Sequence, residues 1–262
     1  MKVQNCADEF SIDTEFDELD WSIDHQAKII KRQMDFQTLV GSYDSRLKDF
    51  GKKTFCLPRR VIHHLDMGVQ EASEAWDMVE GGWKHHKSNP VQADKDELLM
   101  ELVDVMHFVV NAYLFMGGQP ERELVAKVTA SAMQVQVPAF GLDFAWALAE
   151  RNGQGPNLAI YSMFSHADGA HGEDWEKKVA ARINYLRQLL VDTAAAIRQQ
   201  ILVSNGAVNP HKFPPGSGFI YFTLMPEICA CAQAIPGVKL DHLYYAFMHK
   251  NDINFKRQKD GY

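Results

Sequence analysis

The chain has 262 residues, 46% of them hydrophobic and 23% charged, which are proportions typical of folded globular domains and exclude a chain that is disordered throughout. Its formal net charge of −7 argues against nucleic acid as a partner, because binding to the phosphate backbone requires clustered Lys and Arg. We expect no membrane partner and a cytoplasmic location (the host cytoplasm for a viral protein), since no apolar run approaches roughly 18 residues and the N-terminus has no signal-peptide layout.

The cysteines fit neither a zinc site nor a disulfide framework. One Cys-x-Cys pair and two single cysteines are too few and wrongly spaced for either, and the positions are Cys6, Cys56, Cys229 and Cys231. We therefore expect reduced cysteines that serve in packing, as is usual in a cytoplasm.

The first 24 residues form an acidic N-terminal arm. They carry eight Asp and Glu residues against a single base, Lys2. Such a charge run favours a flexible or surface-lying segment. From about residue 25 the pattern becomes helical, and residues 25–262 are predicted to form a single all-α domain.

Two amphipathic helices follow. Apolar residues at steps of three and four predict one helix at Ile62, Leu65, Val69, Ala72, Trp76 and Val79, and a second at Leu99, Leu102, Met106, Val109 and Tyr113. The second helix should stop at Gly117-Gly118. Gly81-Gly82 lies in the connection, which suits an antiparallel hairpin.

The second half of the chain is less regular. Repeated glycines between 138 and 175 predict short or interrupted helices and a possible insertion. A long amphipathic helix is expected from Val179 to Ile201, followed by a loop from Pro210 to Gly218. Asp241 is a suitable N-cap for a last helix that continues to about Gln258. No segment has the period of a strand, and we find no internal repeat.

Four carboxylates on the two paired helices could form a metal site. Glu71 and Glu74 are three residues apart on the first helix, as are Glu101 and Asp104 on the second, so each pair lies on one helix face. Oxygen ligands of this kind suit Mg²⁺, which also keeps positions open for water and phosphates. Such spacing is common on solvated helices, and simple surface exposure is the alternative for either pair taken alone.

The second of these helices is otherwise strongly apolar. Glu97, Glu101, Asp104 and Asn111 form a polar stripe on it. A buried carboxylate without a counterion is very costly, so a cationic group should lie against the stripe.

The last predicted helix carries basic residues on one face. Lys250, Asn254 and Arg257 step by four and three, and Lys and Arg there could hold phosphate oxygens. The alternative is that these cations merely complement the helix dipole near its C-terminal end.

These segments resemble a known family. The stretch from Glu71 to Glu74, then Trp83-Lys84-His85-His86-Lys87, then Glu101 to Phe108, is similar to the metal-binding core of the all-α dimeric dUTPases of the dUTPase/dCTPase family, in the MazG-like superfamily of all-α nucleoside triphosphate pyrophosphatases. The end of the chain, Lys250-Asn251 through Asn254, Arg257-Gln258 and Gly261-Tyr262, resembles the phosphate-side motif of that family. The resemblance covers residues 25–115 and 240–262.

The resemblance implies an all-α bundle with extra helices between the metal-binding core and the last helix, acting as a homodimer. It also implies Mg²⁺-dependent hydrolysis of dUTP to dUMP and pyrophosphate, with two or more ions and Mn²⁺ as a substitute. By the same inference, the metal ligands are Glu71, Glu74, Glu101 and Asp104, with Glu74 as the base that activates water, and the substrate contacts are Lys250, Asn254, Arg257, Gln33, Lys84, Lys87 and Tyr262.

Base recognition is the point at which the sequence departs from the family. Members carry a Gln and an Asn on the first helix to read the pyrimidine; Gln33 and Gln37 are the nearest matches here, and the Asn has none. Rival hypotheses are the same chemistry on dCTP or a modified pyrimidine nucleotide, and a non-catalytic helical binding module. An HD-type phosphohydrolase is excluded, because no His-Asp dipeptide occurs in the chain. His107, one turn after Asp104, is either a hydrogen-bond partner of the site or a core histidine.

Overall fold

A computed structural model describes residues 10–12, 23–41, 45–52, 55–79, 93–120, 175–203 and 216–261, and these form α-helices with no strand among them. The helices are α1 (Ile23–Val40), α2 (Pro58–Met78), α3 (Lys95–Phe115), α4 (Trp175–Val203), α5 (Gly216–Gln233) and α6 (Leu240–Lys259), with a short 3-10 turn at Ser45–Leu47. The all-α prediction is confirmed.

Helix α3 is the centre of the bundle and contacts α1, α2, α5 and α6. Its start is fixed by Asp94, whose side chain accepts hydrogen bonds from the backbone N–H groups of Asp96 and Glu97. Its end comes at Gly117, where a φ of +81° is possible without the strain that a side chain would add. Among the described helices, α3 is long and apolar enough to cross a membrane, but 83% of its apolar window is buried inside the protein, as befits a core helix.

Helices α2 and α3 form the antiparallel hairpin that the sequence predicts. The backbone N–H of Leu57, just before α2, donates to the carbonyl of Phe115 at the end of α3, at 2.9 Å. Helix α4 covers the outer side of α2, where Leu190 lies against Gly68 and Arg198 forms an ion pair with Asp66. Helix α4 therefore packs along α2.

Helix α6 runs parallel to α3, and α1 runs parallel to α6. Aromatic rings pack edge to face at the two ends of the α1–α6 contact, where His25 contacts Tyr244 and Phe36 contacts Phe255. Between them Arg32 forms an ion pair with Asp252. The three helices α1, α3 and α6 therefore pack against one another, and the last helix lies against α3 of the α2–α3 hairpin.

Three expectations about the chain need correction. Asp241 is not the N-cap of the last helix: α6 begins at Leu240 with Lys239 as N-cap, so Asp241 lies in the first turn, where its charge complements the helix dipole. The predicted loop from Pro210 to Gly218 ends too late, because α5 already begins at Gly216. The arm is not wholly surface-lying, since Phe10 is buried and the N–H of Ile12 donates to Asp96 at 2.8 Å.

Other expectations hold or lie outside the described residues. Cys56, Cys229 and Cys231 are free thiols, and the latter two are buried, which agrees with a packing role. The possible insertion at 138–175 lies outside the described residues, apart from Trp175.

Candidate functional site

Three of the four predicted metal ligands converge in the structure. Carboxylate oxygens of Glu71 on α2 and of Glu101 and Asp104 on α3 all lie within 4.8 Å of one another, and all three side chains are partly buried. The antiparallel hairpin brings them together because the face of α3 that carries Glu101 and Asp104, one turn apart, lies beside Glu71 on α2. Three carboxylates this close form a set of hard oxygen donors that fits a divalent cation such as Mg²⁺.

The fourth predicted ligand, Glu74, stands at the exposed edge of this cluster. Its Oε1 accepts a hydrogen bond from Gln70 Nε2 at 3.4 Å. Its charge nevertheless acts on the cluster, since it raises the pKa values of both Glu71 and Glu101. Glu74 is therefore close enough to act electrostatically on the cluster, while its carboxylate remains accessible to water.

The carboxylates repel one another and are partly removed from solvent. Burial raises the pKa of Glu71 to about 7, and the charges of Asp104 and Glu74 contribute to the rise. Burial likewise raises the pKa of Glu101 to about 7, with Asp104, Glu71 and Glu74 adding to it. Lys250 opposes both shifts. The cluster thus holds protons at neutral pH that a metal ion would displace.

Lys250 is the cation that the polar stripe of α3 requires. Its Nζ donates to Asp104 Oδ2 at 2.8 Å, with both side chains mostly buried. The last helix therefore reaches the carboxylate cluster directly, whereas the sequence pattern predicted only a phosphate contact for this residue. Asn254 and Arg257 lie one and two turns further along α6, and both are partly exposed.

A buried histidine links the same two helices. His107 Nδ1 lies 2.8 Å from the carbonyl of Val103, and its Nε2 lies 2.8 Å from Asn251 Nδ2. Its ring stacks on Phe247 with the centroids 4.2 Å apart. Burial lowers the pKa of His107 to about 4, so the ring is neutral at physiological pH and is a poor proton donor.

Gln33, predicted to contact the base, is buried at the junction of α1 and α3. Its Nε2 donates to Asn111 Oδ1 at 2.8 Å, and its exposed fraction is 2%. Its Oε1 is buried without a hydrogen-bond partner among the described residues. A buried acceptor in this state is costly and is therefore a position at which a ligand donor would be stabilising.

Three predicted substrate contacts lie outside the described residues: Lys84, Lys87 and Tyr262. Two further residues beside the site, Asn111 and Asn251, carried only weak signals in the sequence. Asn111 belongs to the polar stripe of α3, and Asn251 follows Lys250, but their partners Gln33 and His107 are far away in the chain. Such pairings appear only when the helices are assembled.

The raised pKa values predict how stability depends on pH in the metal-free protein. Between pH 4.5 and 7 the folded state retains protons on Glu71 and Glu101 that the unfolded state has lost, so stability should fall as pH rises through this window. A divalent cation should reverse the loss, and its binding at pH 7 should release about one proton, because two groups with pKa values near 7 are each half protonated.

Thermal unfolding in EDTA and in MgCl₂ from pH 5 to pH 8 tests this prediction. The increase in Tm on adding Mg²⁺ should grow with pH. The double variant Glu71→Gln, Glu101→Gln, which lacks both groups, should show little of this growth. A Mg²⁺-induced shift in Tm that is the same at pH 5 and pH 8 would contradict the prediction.

Comparison with known proteins adds one match. A family model described as dUTPase matches residues 50–166, a range that includes α2, α3 and the whole carboxylate cluster. Searches of the curated proteins and of the solved structures gave no match.

Proposed function

Because a family model described as dUTPase matches the part of the chain that holds the carboxylate cluster, we propose that the chain is an all-α nucleoside triphosphate pyrophosphatase that hydrolyses dUTP to dUMP and pyrophosphate with Mg²⁺ as cofactor. One observation carries the proposal: Glu71, Glu101 and Asp104 converge within 4.8 Å inside the matched range. Lys250 from the last helix stands against the same cluster. A metal-binding face and a basic face therefore meet at one place, as a polyphosphate substrate requires.

The proposed metal ligands are Glu71, Glu74, Glu101 and Asp104, with two or more Mg²⁺ ions and Mn²⁺ as a substitute. Bound Mg²⁺ would supply charge neutralisation along the phosphate chain and acidify a bound water. The burial of the carboxylates supports this assignment, because their mutual repulsion is relieved when cations replace the protons that they hold at neutral pH.

Glu74 is proposed as the general base. It is the most exposed of the four carboxylates, so water reaches it, and its neighbours keep it in a strongly negative environment. In the proposed step Glu74 accepts a proton from the attacking water while the oxygen of that water bonds to phosphorus. The bond between the α and β phosphates breaks, and pyrophosphate leaves with the electron pair.

Lys250, Asn254 and Arg257 are proposed to bind the phosphates. The ammonium group of Lys250 has three N–H donors, and its contact with Asp104 occupies one of them. The remaining donors can serve a phosphate oxygen beside the metal site. Asn254 and Arg257 continue the same face of α6, and Lys84, Lys87 and Tyr262 are proposed as further contacts.

Gln33 is proposed to read the base. Its Nε2 is held by Asn111, so its free Oε1 can only accept a hydrogen bond. Uracil offers a donor at N3, whereas cytosine has an acceptor there. This geometry supports dUTP over dCTP.

Replacing Gln33 tests the base assignment. Gln33→Leu, which keeps the volume, should lower kcat/KM for dUTP about tenfold and reduce the preference over dCTP, since one hydrogen bond to the base is lost. Gln37→Leu, one turn further on α1, is the matched control and should leave the ratio unchanged. An unchanged ratio in Gln33→Leu would remove this residue from the base site.

A panel of nucleotides with pyrophosphate detection in Mg²⁺ tests the function itself. We expect dUTP to be the best substrate, with dUDP measured separately by phosphate release. If dCTP or a modified pyrimidine nucleotide has the highest turnover, the proposed substrate is wrong and the proposed reaction stands. Hydrolysis of none, with Mg²⁺ leaving Tm unchanged, would favour the non-catalytic binding module.

A homodimer is also proposed, on the strength of the resemblance to the dimeric dUTPases. Light scattering coupled to size-exclusion chromatography measures the mass directly, and a mass near that of one 29.7 kDa chain would contradict it. The net charge of −7 supports a small-molecule substrate rather than nucleic acid.

A further inference from the structure

The contact between His107 and Asn251 is the most completely buried polar contact between α3 and α6 that the structure describes. Asn251 has no exposed surface, and His107 is 7% exposed. Asn251 Nδ2 lies 2.8 Å from His107 Nε2 and 3.3 Å from the carbonyl of Phe247. Because a carbonyl oxygen only accepts and would repel the amide oxygen, the amide nitrogen of Asn251 faces it. The same nitrogen also faces His107, so Nε2 is the acceptor.

The tautomer of His107 follows from its other nitrogen. Nδ1 lies 2.8 Å from the carbonyl of Val103, one turn earlier on α3, and must donate to it. The ring is thus neutral, with its proton on Nδ1 and its lone pair aimed at α6. Both ring nitrogens have fixed partners: Nδ1 faces a backbone carbonyl and Nε2 faces a buried amide. The lone pair of Nε2 therefore points in one direction only.

The His107–Asn251 contact lies next to the Lys250–Asp104 ion pair, which joins α6 to the carboxylate cluster. Asn251 directly follows Lys250, and His107 is one turn after Asp104, while Lys250 Nζ donates to Asp104 at 2.8 Å. Since α3 and α6 run parallel, the two contacts lie one above the other. A slip of α6 by one residue would move Lys250 about 1.5 Å along the axis and about 100° around it, away from Asp104.

Apart from the Lys250–Asp104 ion pair, the rest of this interface is mainly apolar and discriminates less sharply between registers. Leu243, Ala246 and Phe247 are fully buried residues of α6, and apolar contact depends on area rather than on direction. The stacked rings of Phe247 and His107 can slide in their plane. A hydrogen bond between a fixed ring nitrogen and a buried amide cannot.

We propose that His107 and Asn251 are positioning residues: their hydrogen bond sets the register of α6 on α3 and thereby places Lys250 beside the carboxylate cluster for the phosphates. The proposal rests on the proposed function for the role of Lys250. It predicts that loss of the hydrogen bond impairs phosphate binding while metal binding remains, because Glu71, Glu101 and Asp104 are held by the α2–α3 hairpin and not by α6.

Two variants of His107 separate positioning from packing. His107→Gln keeps an acceptor that reaches Asn251, and His107→Leu keeps the bulk without it. We expect His107→Leu to weaken binding of pyrophosphate in Mg²⁺ at least tenfold by calorimetry and to lower kcat/KM for dUTP about thirtyfold. The affinity for Mg²⁺ alone should not fall, because displacing Lys250 removes a competitor of the cation for Asp104, and His107→Gln should restore most of the phosphate binding.

His64 provides a matched control. It is also a buried histidine stacked on a phenylalanine, Phe115, but neither of its ring nitrogens has a hydrogen-bond partner among the described residues. His64→Leu removes the same ring and no register contact, so phosphate binding should be unchanged. Equal losses in His64→Leu and His107→Leu would overturn the proposal, as would a loss of Tm in His107→Leu without a change in pyrophosphate affinity.

Coupling to Lys250 completes the test. If His107 acts through Lys250, His107→Leu should lower the pyrophosphate affinity little further in a Lys250→Met background. Additive losses of pyrophosphate affinity would overturn the proposal. If His107→Leu does not fold, Asn251→Leu replaces it in the same measurements of pyrophosphate affinity. If the wild-type protein binds Mg²⁺ and pyrophosphate but hydrolyses no nucleotide, the proposed function fails while the register inference is still decided by the pyrophosphate affinities.

Discussion

Glu101→Gln and Glu74→Gln are expected to abolish dUTP hydrolysis in two different ways. Glu101 lies in the group of oxygens within 4.8 Å of one another, so the neutral amide should remove a metal ligand. Turnover should fall by about a thousandfold and the Mg²⁺-induced rise in Tm should largely disappear. Glu74 stands at the exposed edge, and Glu74→Gln should lower kcat by a factor of about 100 to 10,000 while most of the Mg²⁺-induced rise in Tm remains, because Glu71, Glu101 and Asp104 are still in place.

The same pair of variants has a further signature in the absence of metal. Glu101→Gln removes a partly buried carboxyl with a pKa of about 7, so in EDTA at pH 8 it should be more stable than the wild type. Glu97→Gln, four residues earlier on α3 and exposed, is the control and should alter neither turnover nor the response to Mg²⁺. Loss of the Mg²⁺ response in Glu74→Gln would instead make Glu74 a ligand first and leave the general base unidentified.

The hairpin that carries the proposed metal ligands could be predicted from the sequence because its helices are amphipathic and have clear stops. Helix α2 begins with Pro58 at its N-terminus, and α3 ends at the positive-φ Gly117. The spacing of Glu71, Glu101 and Asp104 then determines the face on which each lies. Local rules therefore suffice for this part of the fold and for most of the carboxylate cluster.

Helix α5 was not predicted, and its composition explains why. It is apolar on nearly all sides, with buried residues from Leu224 to Ala232 in unbroken order, so no 3.6-residue period is visible. It also contains Pro226 and begins in a stretch rich in proline and glycine, which local rules assign to a loop. Burial on all faces against α3 and α4 stabilises a helix there despite those signals.

The contacts between distant helices could not be predicted either. Asp104 and Lys250 are 146 residues apart, and Gln33 and Asn111 are 78 apart. Each residue has a polar side chain of a common kind, and nothing in its own neighbourhood identifies the partner. Both the ion pair and the His107–Asn251 contact form between α6 and α3, and the parallel packing of these helices is a property of the assembled bundle.

Lys250→Met is expected to change metal binding and catalysis in opposite directions. In the wild type the ammonium group neutralises Asp104 and lowers the pKa values of Glu71 and Glu101, so it competes with a divalent cation for the same oxygens. Without it, the affinity for Mg²⁺ at pH 8.5, where the carboxyls are ionised, should rise about tenfold, a free-energy change of about 1.4 kcal/mol.

Catalysis by Lys250→Met should nevertheless fall, because the phosphates lose a charged donor in a partly buried site. We expect kcat/KM for dUTP to fall about 100-fold, within the range measured when one charged partner is removed. Lys256→Met, an exposed lysine on the same helix, is the control and should alter neither quantity. Calorimetric titration with Mg²⁺ and turnover on the same preparations give both numbers. Weaker Mg²⁺ binding in Lys250→Met would mean that the ammonium group organises the carboxylates rather than competing for them.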